Sequence, residues 1–163
     1  MSTRESDAVE LEGTLHQCRQ ELAAAREQLE RLAEQAALAD RASAQAEAIA
    51  AALDARLTAE EVPATGPKGW LKRKVMPNAA TPQELADARE LRESPLFDGV
   101  WYLRTYPEVV ATGLSPALHY LRHGVAQQCD PGPEFSTKGY LARHPLVARQ
   151  KANPLLNHLR TGQ

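Results

Sequence analysis

Residues 97–124 and residues 135–162 align without a gap, at a constant offset of 38 positions. The first segment reads FDGVWYLRTYPEVVATGLSPALHYLRHG, and the second segment reads FSTKGYLARHPLVARQKANPLLNHLRTG. The matching positions are aromatic, aliphatic, proline and glycine residues: Phe97 and Phe135, Tyr102 and Tyr140, Leu103 and Leu141, Pro107 and Pro145, Val109 and Val147, Pro116 and Pro154, Leu118 and Leu156, Leu121 and Leu159, Gly124 and Gly162. Such a period is typical of helical repeats that bury their faces against neighbours. We therefore predict a compact domain over residues 94–163, made of two helical repeats with a 38-residue period, at 94–131 and 132–163.

Local signals within the first segment predict two short helices. Asp98 is a candidate N-cap for a helix that stops before Pro107. A short turn follows, and Ser115-Pro116 then starts a second helix that ends at Gly124 as a C′ glycine. The second segment carries the corresponding signals at Ser136, Pro145, Asn153, Pro154 and Gly162.

The first sixty residues repeat small and apolar side chains at alternating steps of three and four, as the a and d positions of a heptad do. They contain no proline, and strong helix formers dominate them. We therefore predict an α-helix over residues 1–61 that self-associates as a dimeric or trimeric coiled coil. The predicted oligomerisation seam consists of Leu11, Leu15, Cys18, Leu22, Leu29, Leu32, Leu53 and Leu57.

Alternatives to this coiled coil remain open from the sequence. The helix is solvated and single, or it folds back between Ala36 and Ala50, where the seam holds only Ala and Ser. Cys18 is a small seam residue or a redox-sensitive cross-link. Residues 1–60 carry six arginines against twelve acids, whereas the remainder carries thirteen basic against nine acidic residues. This charge distribution modestly favours anionic partners for the C-terminal part.

Residues 62–80 are rich in proline and glycine and predict a flexible basic linker. A tryptophan inside a cluster of cations is a candidate contact with an anionic membrane surface. The candidate membrane-contact residues are Lys68, Trp70, Lys72, Arg73 and Lys74. Beyond the linker, Thr81, Pro82 and Glu84 form a capping-box pattern that predicts a short connecting helix over residues 81–93.

The stretch SPLFDGVWYLRTYPEVVATGLSPALHYLRHGVAQQCDPGPEF, residues 94–135, resembles a repeat of bacterial surface-polysaccharide proteins. Its pattern is F-D-x-x-W/Y-Y-L-x-x-Y-P-D-V, then G-x-x-P-L-x-H-Y-L-x-x-G, then D-P-x-P. That repeat often precedes glycosyltransferase domains, including those of rhamnan-synthesis type. The second segment departs from the pattern at Leu146 and at Asn157-His158. The resemblance implies a glycan-related setting and a glycosyltransferase partner, without catalysis by the repeats themselves.

No motif in the chain predicts a reaction. His119 and His123 have the helical spacing of two metal ligands, but no third ligand is evident. There is no phosphate-binding glycine loop, no nucleophile elbow and no convincing pair of catalytic carboxylates. Cys18 and Cys129 are far apart and do not define a disulfide framework. We therefore expect no catalytic residues, no metal, no cofactor and no nucleic-acid partner.

The sequence predicts an all-α protein that works as a non-catalytic, oligomerising adaptor or scaffold, and the resemblance implies a setting in surface-polysaccharide biosynthesis. One alternative is a multivalent carbohydrate-binding module, and another is a peripheral membrane tether. The candidate partner- or glycan-contact residues are Trp101, Tyr106, His119 and Tyr120. Because no signal peptide or membrane span is evident, we expect the protein in the cytoplasm, including the inner face of the membrane.

Overall fold

The computed structural model describes residues 2–64, 71, 75–76 and 78–162, with side chains described from residue 12 onward. This part of the chain is mostly helical, as the sequence predicts. Its elements are α1 (Ser2–Ala59), β1 (Val62–Pro63), β2 (Ala79–Ala80), α2 (Pro82–Glu93), α3 (Gly99–Thr105), α4 (Val109–Thr112), α5 (Pro116–His119), a π-helical turn (Tyr120–Gly124), α6 (Thr137–Arg143), α7 (Pro145–Gln150) and α8 (Pro154–Thr161). The chain divides into an N-terminal unit, Met1–Gln45, and a C-terminal unit, Ala46–Gln163.

The N-terminal unit is the first part of α1. Ala, Glu, Gln, Arg and Leu dominate its sequence, and these residues lose little side-chain freedom in a helix. Pairs four residues apart add small contributions, such as the hydrogen bond from Gln17 to Glu21 at 3.0 Å and the Arg31–Glu27 ion pair at 3.7 Å. From residue 12 to residue 45 every side chain is exposed, including those at the a and d positions.

The last part of α1 belongs to the C-terminal unit and packs into its core. Ala50 and Leu57 are buried, and Leu53 packs against the same cluster. We predicted Leu53 and Leu57 in the intermolecular seam. The structure corrects this for Leu57, which is 7% exposed within its own chain, whereas Leu53 stays partly exposed beside the core. The heptad pattern continues through these residues, but the surface that covers it is the chain's own body.

Buried polar contacts fix the segment that follows α1. The Glu61 carboxylate lies 2.8 Å from the Arg92 guanidinium and accepts a hydrogen bond from the Ser115 hydroxyl at 2.6 Å. The Glu61 side chain is only 8% exposed, so removal of either partner would leave a buried charge poorly satisfied. These contacts tie the end of α1 to α2 and to the start of α5.

The two ends of the predicted linker, residues 62–80, form short strands. β1 pairs with β2 in parallel, with Val62 opposite Ala79 and Pro63 opposite Ala80. Ala79 and Ala80 are fully buried, so their backbone groups need hydrogen-bond partners. The Ala80 carbonyl accepts from the Ala64 N–H at 2.7 Å, the Ala79 N–H donates to the Met76 carbonyl at 3.0 Å, and the Ala79 carbonyl accepts from the Arg122 guanidinium at 2.8 Å. The middle of the linker, residues 65–70, 72–74 and 77, lies outside the described residues.

The predicted capping box at the start of α2 is confirmed. The Thr81 hydroxyl accepts a hydrogen bond from the Glu84 N–H at 3.1 Å, and the Glu84 carboxylate accepts one from the Thr81 N–H at 2.8 Å. Pro82 occupies the first helical position, where its missing N–H has no intrahelical partner in any case. Ala88 and Leu91 are the residues that α2 buries completely.

The two aligned segments form short helices at corresponding positions. Asp98 and Ser136 cap α3 and α6, and Ser115 and Asn153 cap α5 and α8, each with a side-chain oxygen that accepts a backbone N–H. The sequence predicted only a turn after Pro107 and Pro145, whereas the structure forms the short helices α4 and α7 there. Each ends at a left-handed residue, Gly113 and Lys151, which lie 38 positions apart.

Gly124 has a different role from the one predicted. It does not end its helix in the left-handed conformation, which Gly162 does with φ of 69°. A Cβ atom at Gly124 would lie 2.7 Å from Cδ2 of Tyr120 and 2.9 Å from the hydroxyl of Tyr102. Gly124 is therefore required by close packing against two buried tyrosines, and not by its backbone angle.

Candidate functional site

The predicted contact residues divide between the core and the surface. His119 is 3% exposed and Tyr120 is fully buried, so neither presents a face to a glycan or a partner in this conformation. Trp101 and Tyr106 remain partly exposed, with their rings edge to face and 6.2 Å between centroids. The Tyr106 hydroxyl accepts a hydrogen bond from the Asp130 N–H at 2.9 Å. Of the four predicted contact residues, only Trp101 and Tyr106 are therefore accessible to a ligand.

A buried hydrogen bond explains why His119 is in the core. It joins the Tyr102 hydroxyl to Nδ1 of His119 over 3.0 Å. Burial raises the pKa of Tyr102 and lowers the pKa of His119, while burial also raises the pKa of the Cys129 thiol beside them. These shifts favour the neutral form of each group. The cluster satisfies buried polar atoms and holds the first segment together.

The second segment repeats this arrangement with a different acceptor. The Tyr140 hydroxyl donates to Oδ1 of Asn157 over 2.8 Å, and this pair has the same 17-residue separation as Tyr102 and His119. Tyr106 and His144, which follow α3 and α6, also share an unusual backbone conformation, with φ/ψ of −126°/68° and −122°/70°. The two segments therefore match in local geometry as well as in sequence.

The loop of residues 129–132 lies on the first segment. The Asp98 N–H donates to the Pro131 carbonyl at 3.0 Å, and the Asp130 N–H donates to the Tyr106 hydroxyl. Gly132 approaches so closely that a Cβ atom there would lie 2.6 Å from the Leu96 carbonyl oxygen. Pro131 and Gly132 are buried by this contact. The loop thus binds a surface formed by the start of α3 and the residue that follows it.

The corresponding surface of the second segment is a cleft of about 230 Å³. It is lined by Leu96, Glu134, Phe135, Ser136, Tyr140, Arg143, His144 and His158. The His144 ring stacks on Tyr140 with 4.1 Å between centroids, and the His158 ring meets Tyr140 edge to face at 5.9 Å. We call this the His144 cleft. The sequence carried a signal for it, because the 38-residue offset places His144 at Tyr106 and His158 at Tyr120.

A second cleft, of about 360 Å³, lies between α2 and α8, and paired charges line it. The Arg160 guanidinium contacts Asp87 and Glu90, each at 2.6 Å, and Arg122 contacts Glu84 at 3.0 Å. Partial burial raises the pKa of Glu84, but the hydrogen bonds from Arg122 and Thr81 outweigh it and lower that pKa to about 2. The Arg160 pairs stabilise the packing of α8 on α2, and the Arg122 pair joins the π-helical turn to α2.

The predicted oligomerisation seam is exposed over the N-terminal unit. The exposed fractions of Leu15, Leu22, Leu29 and Leu32 are 50%, 53%, 66% and 60%. Cys18 is exposed as a free thiol, and the side chain of Leu11 lies outside the described residues. The helix therefore presents a row of leucines with no cover from its own chain over residues 12–45.

The candidate membrane contacts Lys68, Trp70, Lys72, Arg73 and Lys74 all lie outside the described residues. Leu71, between them, is described and exposed. Among the described helices, none has a stretch both long enough and apolar enough to cross a bilayer.

His119 and His123 lie side by side, with 5.4 Å between ring centroids. In the described part of the chain, no cluster of three or more His, Cys, Asp or Glu side chains has the geometry to hold a metal ion. Comparison with protein-family models, with curated proteins and with solved structures finds no match to this chain.

Proposed function

We propose that this protein is a non-catalytic, oligomerising adaptor, in which α1 joins two or three chains and the C-terminal unit engages partners. The observation that carries the proposal is the row of exposed leucines at Leu15, Leu22, Leu29 and Leu32. Burial of this row of leucines is favourable, and an isolated helix leaves it exposed to water. A second copy of the same helix can bury the row, because its own leucines recur at the same heptad spacing.

The free energy of burying this row is of the same size as the cost of association. Covering a leucine side chain contributes about 1.5–3 kcal/mol when it starts fully exposed, and about half that here. The four leucines of each chain therefore contribute roughly 6–12 kcal/mol to a dimer, which is comparable with the ~4–15 kcal/mol cost of association. The Ala- and Ser-rich positions between Ala36 and Ser43 add less.

The sequence resemblance supports the biological setting of the proposal. The C-terminal unit contains two copies of one helical repeat, and the repeat resembles one that accompanies glycosyltransferase domains in bacterial surface-polysaccharide proteins. The matched caps and the matched Tyr102 and Tyr140 hydrogen bonds support this relation between the copies. We accordingly propose a glycosyltransferase as the partner and the cytoplasm as the compartment.

The carbohydrate-binding alternative is weaker, because His119 and Tyr120 lie in the core and leave only Trp101 and Tyr106 for a stacking face. The membrane-tether alternative rests on residues 68–74, of which only Leu71 is described. Neither alternative gains a specific observation in its favour.

Sedimentation equilibrium of the full chain in reductant tests the proposal. We expect a dimer or a trimer, and Leu22→Glu should weaken its association by about a hundredfold or more, since each copy loses a buried leucine and gains a charge. Leu38→Glu is the matched control. The exposed fraction of Leu38, 62%, is close to the 53% of Leu22, but Leu38 lies outside the a and d positions. A monomeric parent chain, or equal losses in the two variants, would refute self-association through the seam.

A further inference from the structure

We propose that the His144 cleft binds an extended segment of a partner protein that contains an acidic residue followed by proline and glycine. The template for this occupant lies within the chain itself, since residues 129–132, with the sequence Cys-Asp-Pro-Gly, bind the corresponding surface of the first segment. The inference rests on the repeat relation between the two segments. It does not depend on self-association through α1.

The residues that hold the loop on the first segment have counterparts around the cleft. The backbone N–H of Asp98 holds the Pro131 carbonyl, and Ser136 occupies the position of Asp98. The Tyr106 hydroxyl holds the Asp130 N–H, and His144 occupies the position of Tyr106 with a ring nitrogen able to accept. In a bound Asp-Pro unit, the N–H of the acidic residue would therefore have the His144 ring nitrogen as its partner. The proline carbonyl would have the Ser136 N–H.

Shape supports the same occupant. The Leu96 carbonyl excludes any Cβ at Gly132, and the Glu134 backbone occupies the position of Leu96 beside the His144 cleft. A glycine at the third place of the occupant is the residue that tolerates such an approach. The cleft volume of about 230 Å³ is below the ~300–1,000 Å³ typical of drug-sized ligand sites, so it suits a short anchoring turn.

Side-chain chemistry distinguishes the His144 cleft from its counterpart, and its cation, Arg143, favours an acidic residue in the occupant. Arg143 replaces Thr105, His144 replaces Tyr106, and His158 replaces Tyr120. Glu134, in the place of Leu96, is the acid among the residues that line the cleft. Arg143 is exposed, and its Nε donates to the Gly139 carbonyl at 3.2 Å, which leaves its other guanidinium nitrogens for a carboxylate. In the template, the Asp130 carboxylate accepts a hydrogen bond from the Thr137 N–H at 2.7 Å. For an acidic residue at this place of the occupant, Arg143 is the candidate partner.

The experiment titrates the full chain with a capped peptide that copies residues 128–134, with serine in place of Cys129, and measures binding by calorimetry. We expect saturable binding below about 1 mM, as a short anchor of this size supports. Arg143→Glu should weaken binding about tenfold or more, whereas Arg149→Glu should change it less than about twofold. Arg149 is the matched control, because it is an exposed arginine of the adjacent helix α7 and does not line the cleft.

A second variant tests the histidine without loss of the ring stack. His144→Phe retains the contact with Tyr140 but removes the ring nitrogens, and we expect it to weaken peptide binding while Arg149→Glu does not. No binding by the parent chain at about 1 mM peptide would refute the proposal. Equal losses for Arg143→Glu and Arg149→Glu, or equal binding of a peptide with scrambled order, would refute it as well, because they would show nonspecific attraction. Each of these results is independent of the sedimentation experiment, so a failure of one proposal is distinguishable from a failure of the other.

Discussion

Gly124→Ala is the substitution for which helix propensity and tertiary packing predict opposite signs. Gly124 has no left-handed backbone angle, and it lies within the helical turn Tyr120–Gly124. Helix propensity alone therefore predicts that alanine stabilises the chain by up to about 1 kcal/mol. The structure predicts the reverse, because the new methyl group would lie 2.7 Å from Cδ2 of Tyr120 and 2.9 Å from the Tyr102 hydroxyl.

The cost follows from what those two tyrosines can do. Both are fully buried, and both side chains are held by hydrogen bonds, from Tyr102 to His119 and from Tyr120 to Thr137. Neither ring can move aside without breaking a buried contact. Overpacking of a close-packed core costs about 1–3 kcal/mol, and we expect Gly124→Ala to lower the free energy of unfolding by the upper part of that range.

Urea denaturation followed by near-ultraviolet circular dichroism of the tyrosines measures this effect, at one protein concentration, since association also shifts apparent stability. Two glycines provide controls: Gly13, where a Cβ meets nothing within 4 Å, and Gly162, which also has open space but a φ of 69°. Gly13→Ala should not destabilise, and Gly162→Ala should cost about 1 kcal/mol through its backbone angle alone. A Gly124→Ala chain as stable as the parent would show that the tyrosine packing is looser than described.

Two further predictions concern polar groups of the C-terminal unit. The pKa of Glu84 falls from 4.5 to about 2 on folding, so its contribution to stability is present above pH 4.5 and is lost as the pH falls toward 2. Glu84→Gln removes this contribution. The free energy of unfolding, measured by urea titration, should therefore depend less on pH in this acidic range than it does in the parent chain. Tyr102→Phe removes the partner of the buried His119 nitrogen and should cost about 1–3 kcal/mol, whereas Tyr140→Phe, whose partner Asn157 is less buried, should cost about 0.5–1.5 kcal/mol; a thermal-unfolding series with the order reversed would contradict the assignment.

Signals that act within one helical turn were readable from the sequence. The capping box of Thr81 and Glu84 depends on residues three apart, and the structure forms it as predicted. The caps at Asp98 and Ser115 are equally local, since each side chain accepts an N–H from the third residue beyond it. Such contacts need no knowledge of the rest of the fold.

Features that depend on distant contacts were not readable in the same way. Gly124 stands in the sequence where a C′ glycine is expected, but its role depends on packing against Tyr102, which lies 22 positions earlier. The His144 cleft was missed because the exchange of Tyr106 for His144 acquires meaning only when residues 129–132 are seen to bind Tyr106. The offset between the segments is visible in the sequence, but the packing of residues 129–132 that makes it informative is not.

The heptad pattern of α1 is the clearest case of a feature whose meaning depends on contacts that the sequence does not reveal. Ala50, Leu53 and Leu57 continue the spacing of Leu15 and Leu22 without interruption. Nothing in this spacing distinguishes residues that are buried against another chain from residues that are buried within their own chain.

Burial of the last part of α1 within its own chain has an energetic consequence for the C-terminal unit. A domain of about 70 residues buries a comparatively small fraction of its surface. Residues 46–61, together with β2 and α2, add Leu57, Ala80 and Leu91 to its buried surface, so the unit that folds extends well before residue 94. A partner helix paired with residues 12–45 would therefore end where this internal cover begins, and one continuous seam would serve assembly in its first part and folding in its second.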